Sequence, residues 1–169
     1  MAIRVGILTV SDRSARGERI DTTHESIREA LAEGPYEVVA YEVVPDEVAQ
    51  IRRVLRLWAD RDSLDVILTN GGTGLALRDN TPEATLEVVD RQVPGLAELV
   101  RSEGVKKTPM AALSRGAAGV RGGTLIINLP GSPKGARESV EALLSILPHA
   151  VEQVTGRKVP GGYEHDQNP

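Results

Sequence analysis

Four short apolar runs, Val5–Val10, Val38–Val44, Val66–Thr69 and Leu125–Leu129, constrain this chain more than any other feature of its sequence. They are rich in β-branched residues and nearly continuous rather than alternating, the pattern of strands covered on both faces in a parallel sheet. Between them the apolar period lengthens to that of a helix. Val48, Ile51, Val54, Leu55 and Trp58 recur at helical spacing, as do Val140, Leu143, Leu144 and Leu147, while Ile27, Ala30 and Leu31 form a shorter stripe that Gly34-Pro35 ends. Strands alternating with helices predict a doubly wound α/β domain. The Pro94–Arg121 stretch predicts a helix over Gly95–Glu103, a loop, and a short strand over Ala117–Val120 that Arg121-Gly122-Gly123 joins to the next.

A chain of 169 residues is one domain on size grounds, expected over 1–159 with a loose polar tail over 160–169. Net charge is −4, with no basic excess to neutralise phosphates and no Phe, so a nucleic-acid binder is not expected. No apolar run approaches the ~20 residues of a membrane span, and no signal-peptide pattern opens the sequence, so a cytoplasmic protein is expected. The absence of Cys removes thiolate nucleophiles and every cysteine-bearing metal site. His24, His149 and His165 are widely spaced and are read as ordinary surface or helix residues. Chemistry is thereby left to carboxylates, hydroxyls, Arg, Lys and backbone amides, with Mg²⁺ held by oxygen ligands as an option.

In open α/β sheets, ligands bind beyond the carboxyl ends of the strands. Each predicted strand is followed there by a polar or glycine-rich turn: Ser11-Asp12, Pro45-Asp46-Glu47, Asn70-Gly71-Gly72-Thr73-Gly74, and Pro130-Gly131-Ser132. The glycine loop is suited either to cradling an anion with its amides or to a tight strand-to-helix turn, and it is neither a Walker A loop nor a dinucleotide fingerprint. Ser132-Pro133 and Thr81-Pro82 read as helix N-caps, and Ser132 could also serve an anion. Asp46 is either an N-cap or a ligand, and Asp79 either a surface partner of Arg78 or a second carboxylate beside a Mg²⁺–phosphate complex.

Taken together, Thr9-Val10-Ser11-Asp12, Val44-Pro45-Asp46-Glu47, Thr69–Gly74, Arg78-Asp79 with Thr81–Thr85, Thr108–Met110 with Leu113-Ser114-Arg115, and Asn128–Gly131 resemble, in order, the molybdopterin adenylyltransferase family. That family includes MogA- and MoaB-type proteins and the G domain of gephyrin. The match spans about Ile3 to Gly156, and its Pro82–Gly131 run looks closer to MogA and gephyrin than to MoaB. The resemblance implies a three-layer α/β/α sandwich with a mostly parallel central sheet, usually assembled as a homotrimer and acting in molybdenum cofactor biosynthesis. It implies transfer of AMP from Mg-ATP to the terminal phosphate of molybdopterin, with release of pyrophosphate, and a separate molybdenum-inserting partner. Carried onto this chain, it makes Asp46 and Asp79 the catalytic, Mg²⁺-holding carboxylates. Ser11, Asp12, Gly71, Gly72, Thr73, Gly74, Ser114, Arg115, Pro130, Gly131 and Ser132 become expected molybdopterin or nucleotide contacts. Two departures stand out: Asp21-Thr22-Thr23-His24 where relatives have Asp-x-Ser-Gly, and Asn80 where they commonly have Val. A non-catalytic molybdopterin carrier, or another nucleotide enzyme on the same fold such as the hydrolase-like CinA domains, are the alternatives.

Overall fold

The computed structural model describes residues 1–162. Six strands form one sheet: β1 (Ile3–Val10), β2 (Tyr36–Val44), β3 (Val66–Asn70), β4 (Arg91–Gln92), β5 (Ala118–Arg121) and β6 (Thr124–Leu129). Their order is β2-β1-β3-β6-β5-β4. The first four in that order run parallel, and β5 and β4 add an antiparallel edge. Among the described residues seven α-helices accompany them: α1 (Asp12–Ala15), α2 (Thr23–Leu31), α3 (Val48–Arg56), α4 (Thr81–Leu86), α5 (Pro94–Val105), α6 (Pro133–Leu143) and α7 (Leu147–Thr155).

The alternation of side chains along the central strands divides the core in two. Ile3, Val5 and Ile7 of β1 join Val66, Leu68, Leu125 and Ile127 on one face, beneath α2, α5, α6 and α7. Leu8 and Val10 join Ile67 and Ile126 on the other, beneath α3 and α4. Helices therefore cover both faces, giving the three layers and mostly parallel sheet expected. Gly6 shows how tightly the second face is packed: a Cβ there would lie 2.7 Å from both Leu64 and Trp58.

Several local expectations are corrected. β2 is an edge strand whose residues alternate between half-buried and exposed, with only Val44 buried, because one of its faces lacks a full helical cover. The α3 stripe does reach Trp58, but the last turn, Leu57–Arg61, widens to π-helical geometry. Leu147 does not continue α6: that helix stops at Leu143, and Leu147 opens α7 with Pro148 beside it. Val159 is buried and its N–H bonds Glu152. Most of the expected 160–169 tail, and His165 within it, lies outside the described residues.

Candidate functional site

The order β2-β1-β3-β6 sets four strand ends side by side, and backbone bonds tie the loops that leave them. Ser11 N–H donates to Val44 O at 2.9 Å and Gly71 N–H to Leu129 O at 3.3 Å. Gly71 (φ +92°) faces the Val10 carbonyl so closely that no Cβ would fit, and a Cβ on Gly131 would lie 3.2 Å from Gly71 Cα. Beneath them Asn128 is fully engaged: its amide donates to Thr69 and Thr85 at 2.9 Å each, and its carbonyl accepts Ala117 N–H at 3.0 Å. That buried network fixes the end of β6 against β3 and α4.

Carboxylates gather over this floor. Asp12 and Asp46 grip each other's backbone: Asp12 N–H donates to Asp46 Oδ2 at 2.9 Å and Asp46 N–H to Asp12 Oδ1 at 3.0 Å. Arg78 closes on Asp12 with two bonds, 2.6 and 2.8 Å, and these hold the Asp12 carboxyl down at about 2. Asp46 behaves oppositely. Burial pushes its pKa up, the Asp12 N–H opposes this, and the negative charges of Asp12 and Asp79 push it further up. Asp79 Oδ2 accepts Ala76 N–H at 3.0 Å and would lie 2.8 Å from a Cβ on Gly74.

Three sequence-based readings change here. Asp46 is not an N-cap, since Glu47 occupies that position. Arg78 pairs with Asp12 rather than with its neighbour Asp79. Thr81 does not cap α4 either: Asn80 holds the cap position, and Thr81 is the first helical residue, wholly buried. Ser132 does cap α6, its hydroxyl accepting Gly135 N–H at 3.1 Å. Ser11 caps the short α1, where the sequence predicts only a turn, accepting from Ser14 N–H at 3.2 Å.

Two cavities flank the loops. A larger one, about 470 Å³, lies between α5, the 3₁₀ turn Pro109–Leu113 and α6. Thr73, Gly74, Ser114, Pro130 and Ser132 line it on the strand-end side. A smaller one, about 280 Å³, takes Ser11, Gly71, Gly131 and Ser132 from the expected set, together with Asp21 and Asn70. Ser132 belongs to both. Asp12, Asp46, Gly72, Asp79 and Arg115 line neither of these two cavities. Arg115 is a brace instead: its guanidinium bonds Gly74 O (2.9 Å), Asp79 O (2.5 Å) and Glu83, and its N–H bonds Thr73 O at 2.8 Å.

The departing segment at Asp21 has its own logic, which the sequence pattern did not disclose. Asp21 is half-buried, and desolvation favours its neutral form, yet hydrogen bonds from Thr9 Oγ1 and Tyr41 OH, 2.6 Å each, hold its pKa below the usual range. His24 stacks on Tyr41 with ring centroids 4.2 Å apart. The pairing joins residues on α2 and β2, so only the register of the fold reveals it.

Among the described residues no group of three or more His, Asp or Glu is arranged to enclose a metal ion. Magnesium at phosphates needs less, because it retains waters and takes one or two carboxylates plus phosphate oxygens. The residues fit that mode: Asp46 keeps Oδ1 outside its bond to Asp12 and 3.1 Å from where Gly72 would carry a Cβ, and its charge is disfavoured by two neighbouring carboxylates that a cation would offset.

Comparison with known proteins agrees with this geometry. A family model described as "Probable molybdopterin binding domain" matches residues 6–158. A Helicobacter pylori J99 protein named molybdopterin adenylyltransferase is 43% identical over 157 residues, covering 91% of this chain and 89% of its own. The crystal structure of the molybdopterin biosynthesis enzyme MoaB from Thermus thermophilus superposes with a TM-score of 0.89 at 72% identity, covering 92% of this chain and 98% of that one. A MogA structure does so with 0.84 at 42% identity, covering 89% and 99%. Matched over nearly its whole length in sequence and in fold, the chain belongs to the molybdopterin-binding domain family of molybdenum cofactor biosynthesis.

Proposed function

We propose that this protein adenylylates molybdopterin. An oxygen of the molybdopterin terminal phosphate attacks the α-phosphorus of ATP; a new P–O bond forms as the bond to the bridging oxygen breaks, and pyrophosphate leaves with that oxygen. The observation that carries the reading is the Asp12–Asp46–Asp79 group standing over a glycine loop, with a cavity on either side of the shared Ser132. Nucleotidyl transfer asks little covalent chemistry of a protein, and positioning with charge neutralisation supplies most of the rate.

In this reading the larger cavity, with Val100, Met110 and Ala142 in its walls, takes the flat pterin. The smaller takes the nucleotide, with Asp21 and Asn70 offering hydrogen bonds. The phosphates meet near Ser132, at the positive end of the α6 dipole. Asp46 and Asp79 would hold Mg²⁺, which supplies charge neutralisation at the pyrophosphate leaving group. Arg115 keeps the Gly74 and Asp79 loops in one fixed arrangement. The reaction is placed in the cytoplasm, where ATP is abundant, and its product goes to a separate molybdenum-inserting protein. The test is pyrophosphate release by the purified chain with Mg-ATP and molybdopterin. Release that depends on both substrates is expected; none above an ATP-only blank would overturn the reading.

A further inference from the structure

Thr81 is wholly buried, yet its hydroxyl has no hydrogen-bond partner. Its backbone is well used, with N–H donating to Gly72 O at 3.1 Å, so the first residue of α4 is stitched to the glycine loop. The side chain is not: it neither caps the helix nor returns to a main-chain carbonyl. A position that needed only to fill space would take valine, which has the same shape without a polar atom to desolvate. The oxygen instead faces a particular neighbour. Gly72 (φ +66°) has room for no Cβ, because Thr81 Oγ1 crowds that position and Asp46 Oδ1 lies 3.1 Å from the same point. The hydroxyl and this carboxylate oxygen thus converge on one point beside the loop.

We infer, on the adenylyltransferase reading above, that Thr81 is a positioning residue for Asp46, its hydroxyl donating to Oδ1 during turnover. Oδ2 is already held by Asp12 N–H at 2.9 Å. A carboxylate held at both oxygens has one orientation, and Asp46 needs one in order to face a cation or a phosphate reproducibly. Arg78, the cation at this end of the site, is committed to Asp12. The Thr81 hydroxyl is a nearby donor that does not belong to that ion pair. Thr81 itself is too deep to touch substrate, so it acts through Asp46.

The test compares Thr81→Val, Thr81→Ser, Asp46→Asn and the Thr81→Val/Asp46→Asn double variant by thermal melting and by steady-state pyrophosphate release. Thr81→Val is expected to melt at or above the wild-type temperature, since it removes a buried unpaired hydroxyl. Its kcat is expected to fall roughly 10–100-fold, the usual effect of losing a partner that orients a ligand group, with both KM values within about twofold. Thr81→Ser restores the donor and most of kcat. In the Asp46→Asn background, Thr81→Val should cost little further, because the group it acts through has lost its charge. Wild-type kcat in Thr81→Val, a full multiplicative loss in the double variant, or a lowered melting temperature for Thr81→Val would each overturn the inference. A wild-type protein without turnover would instead overturn the adenylyltransferase reading, a separate result visible before any variant is made.

Discussion

Asp46 sets stability against chemistry at a single residue. Burial and two like charges raise its pKa above the ordinary carboxylate value, so keeping it ionised in the folded protein costs stability once the pH exceeds that ordinary value. Asparagine carries no charge and can still accept the Asp12 N–H through its amide oxygen. Asp46→Asn is therefore expected to raise the melting temperature at pH 7 while lowering kcat by roughly 10²–10³, the scale of losing one preorganised electrostatic contact. At about pH 3, where the wild-type carboxyl is protonated in both folded and unfolded chains, the stability gain should vanish. Melting curves at the two pH values, beside pyrophosphate release, check both halves. Gly72 carries a different constraint. At φ +66° an L-residue is strained, and its Cβ would press on Thr81 Oγ1 and Asp46 Oδ1. Gly72→Ala should cost at least ~1–2 kcal/mol in denaturant titration and disturb the site from below; an alanine variant of full stability would show that the loop relaxes freely.

At the scale of elements, what the sequence disclosed depended on whether a signal was local. The continuous apolar runs of β1, β3 and β6 announce central strands because those strands really are covered twice. β2 carries a similar run, but whether its second face is covered depends on its place at the edge, which no window of sequence contains. The two residues of β4 are too few to carry a period. The strand-end turns named Ser11, the glycine loop and Ser132 correctly as neighbours, since their positions follow from the strands. The Asp12–Arg78 pair spans 66 residues and Thr81's missing partner is a fact of packing; neither has a local signature. One such long-range tie is testable by itself. Tyr36 at the start of β2 donates its OH to Leu144 O at 3.0 Å, joining the edge strand to the end of α6, and burial pushes its pKa up from 10.0 to about 12. A raised pKa in the folded state means the tie contributes fully below the unfolded value and is lost as pH rises through the folded one. Alkaline unfolding should steepen between pH 10.0 and about 12, and Tyr36→Phe should flatten that limb; an unchanged limb would place the loss elsewhere.

For the whole molecule, the site depends on strand order more than on any one motif. β2, β1, β3 and β6 lie adjacent although β6 follows β3 by more than fifty residues in the chain, and that adjacency brings Asp46, Asp12, the glycine loop and Ser132 to one edge. The same arrangement leaves apolar side chains in water beside the larger cavity. Leu77 is 97% exposed, Leu75 67% and Met110 64%. Arg115 binds the loop bearing the two leucines to the segment that follows Met110 and Leu113, bracing that loop's backbone at Gly74 and Asp79. Presented on a braced surface, they are suited to burial against another chain. The homotrimer that the family resemblance implies would make head-to-tail contacts around a threefold axis, each chain giving one face and receiving another. Light scattering at micromolar concentration is expected to return three times the 18.1 kDa chain mass. Leu77→Asp, at a position that contributes almost nothing to the isolated fold, should shift the mass downward on dilution while each chain stays folded by circular dichroism. A wild-type mass of one chain would contradict the trimer, and a trimer indifferent to Leu77→Asp would place its contacts on another face and leave these leucines unexplained by assembly.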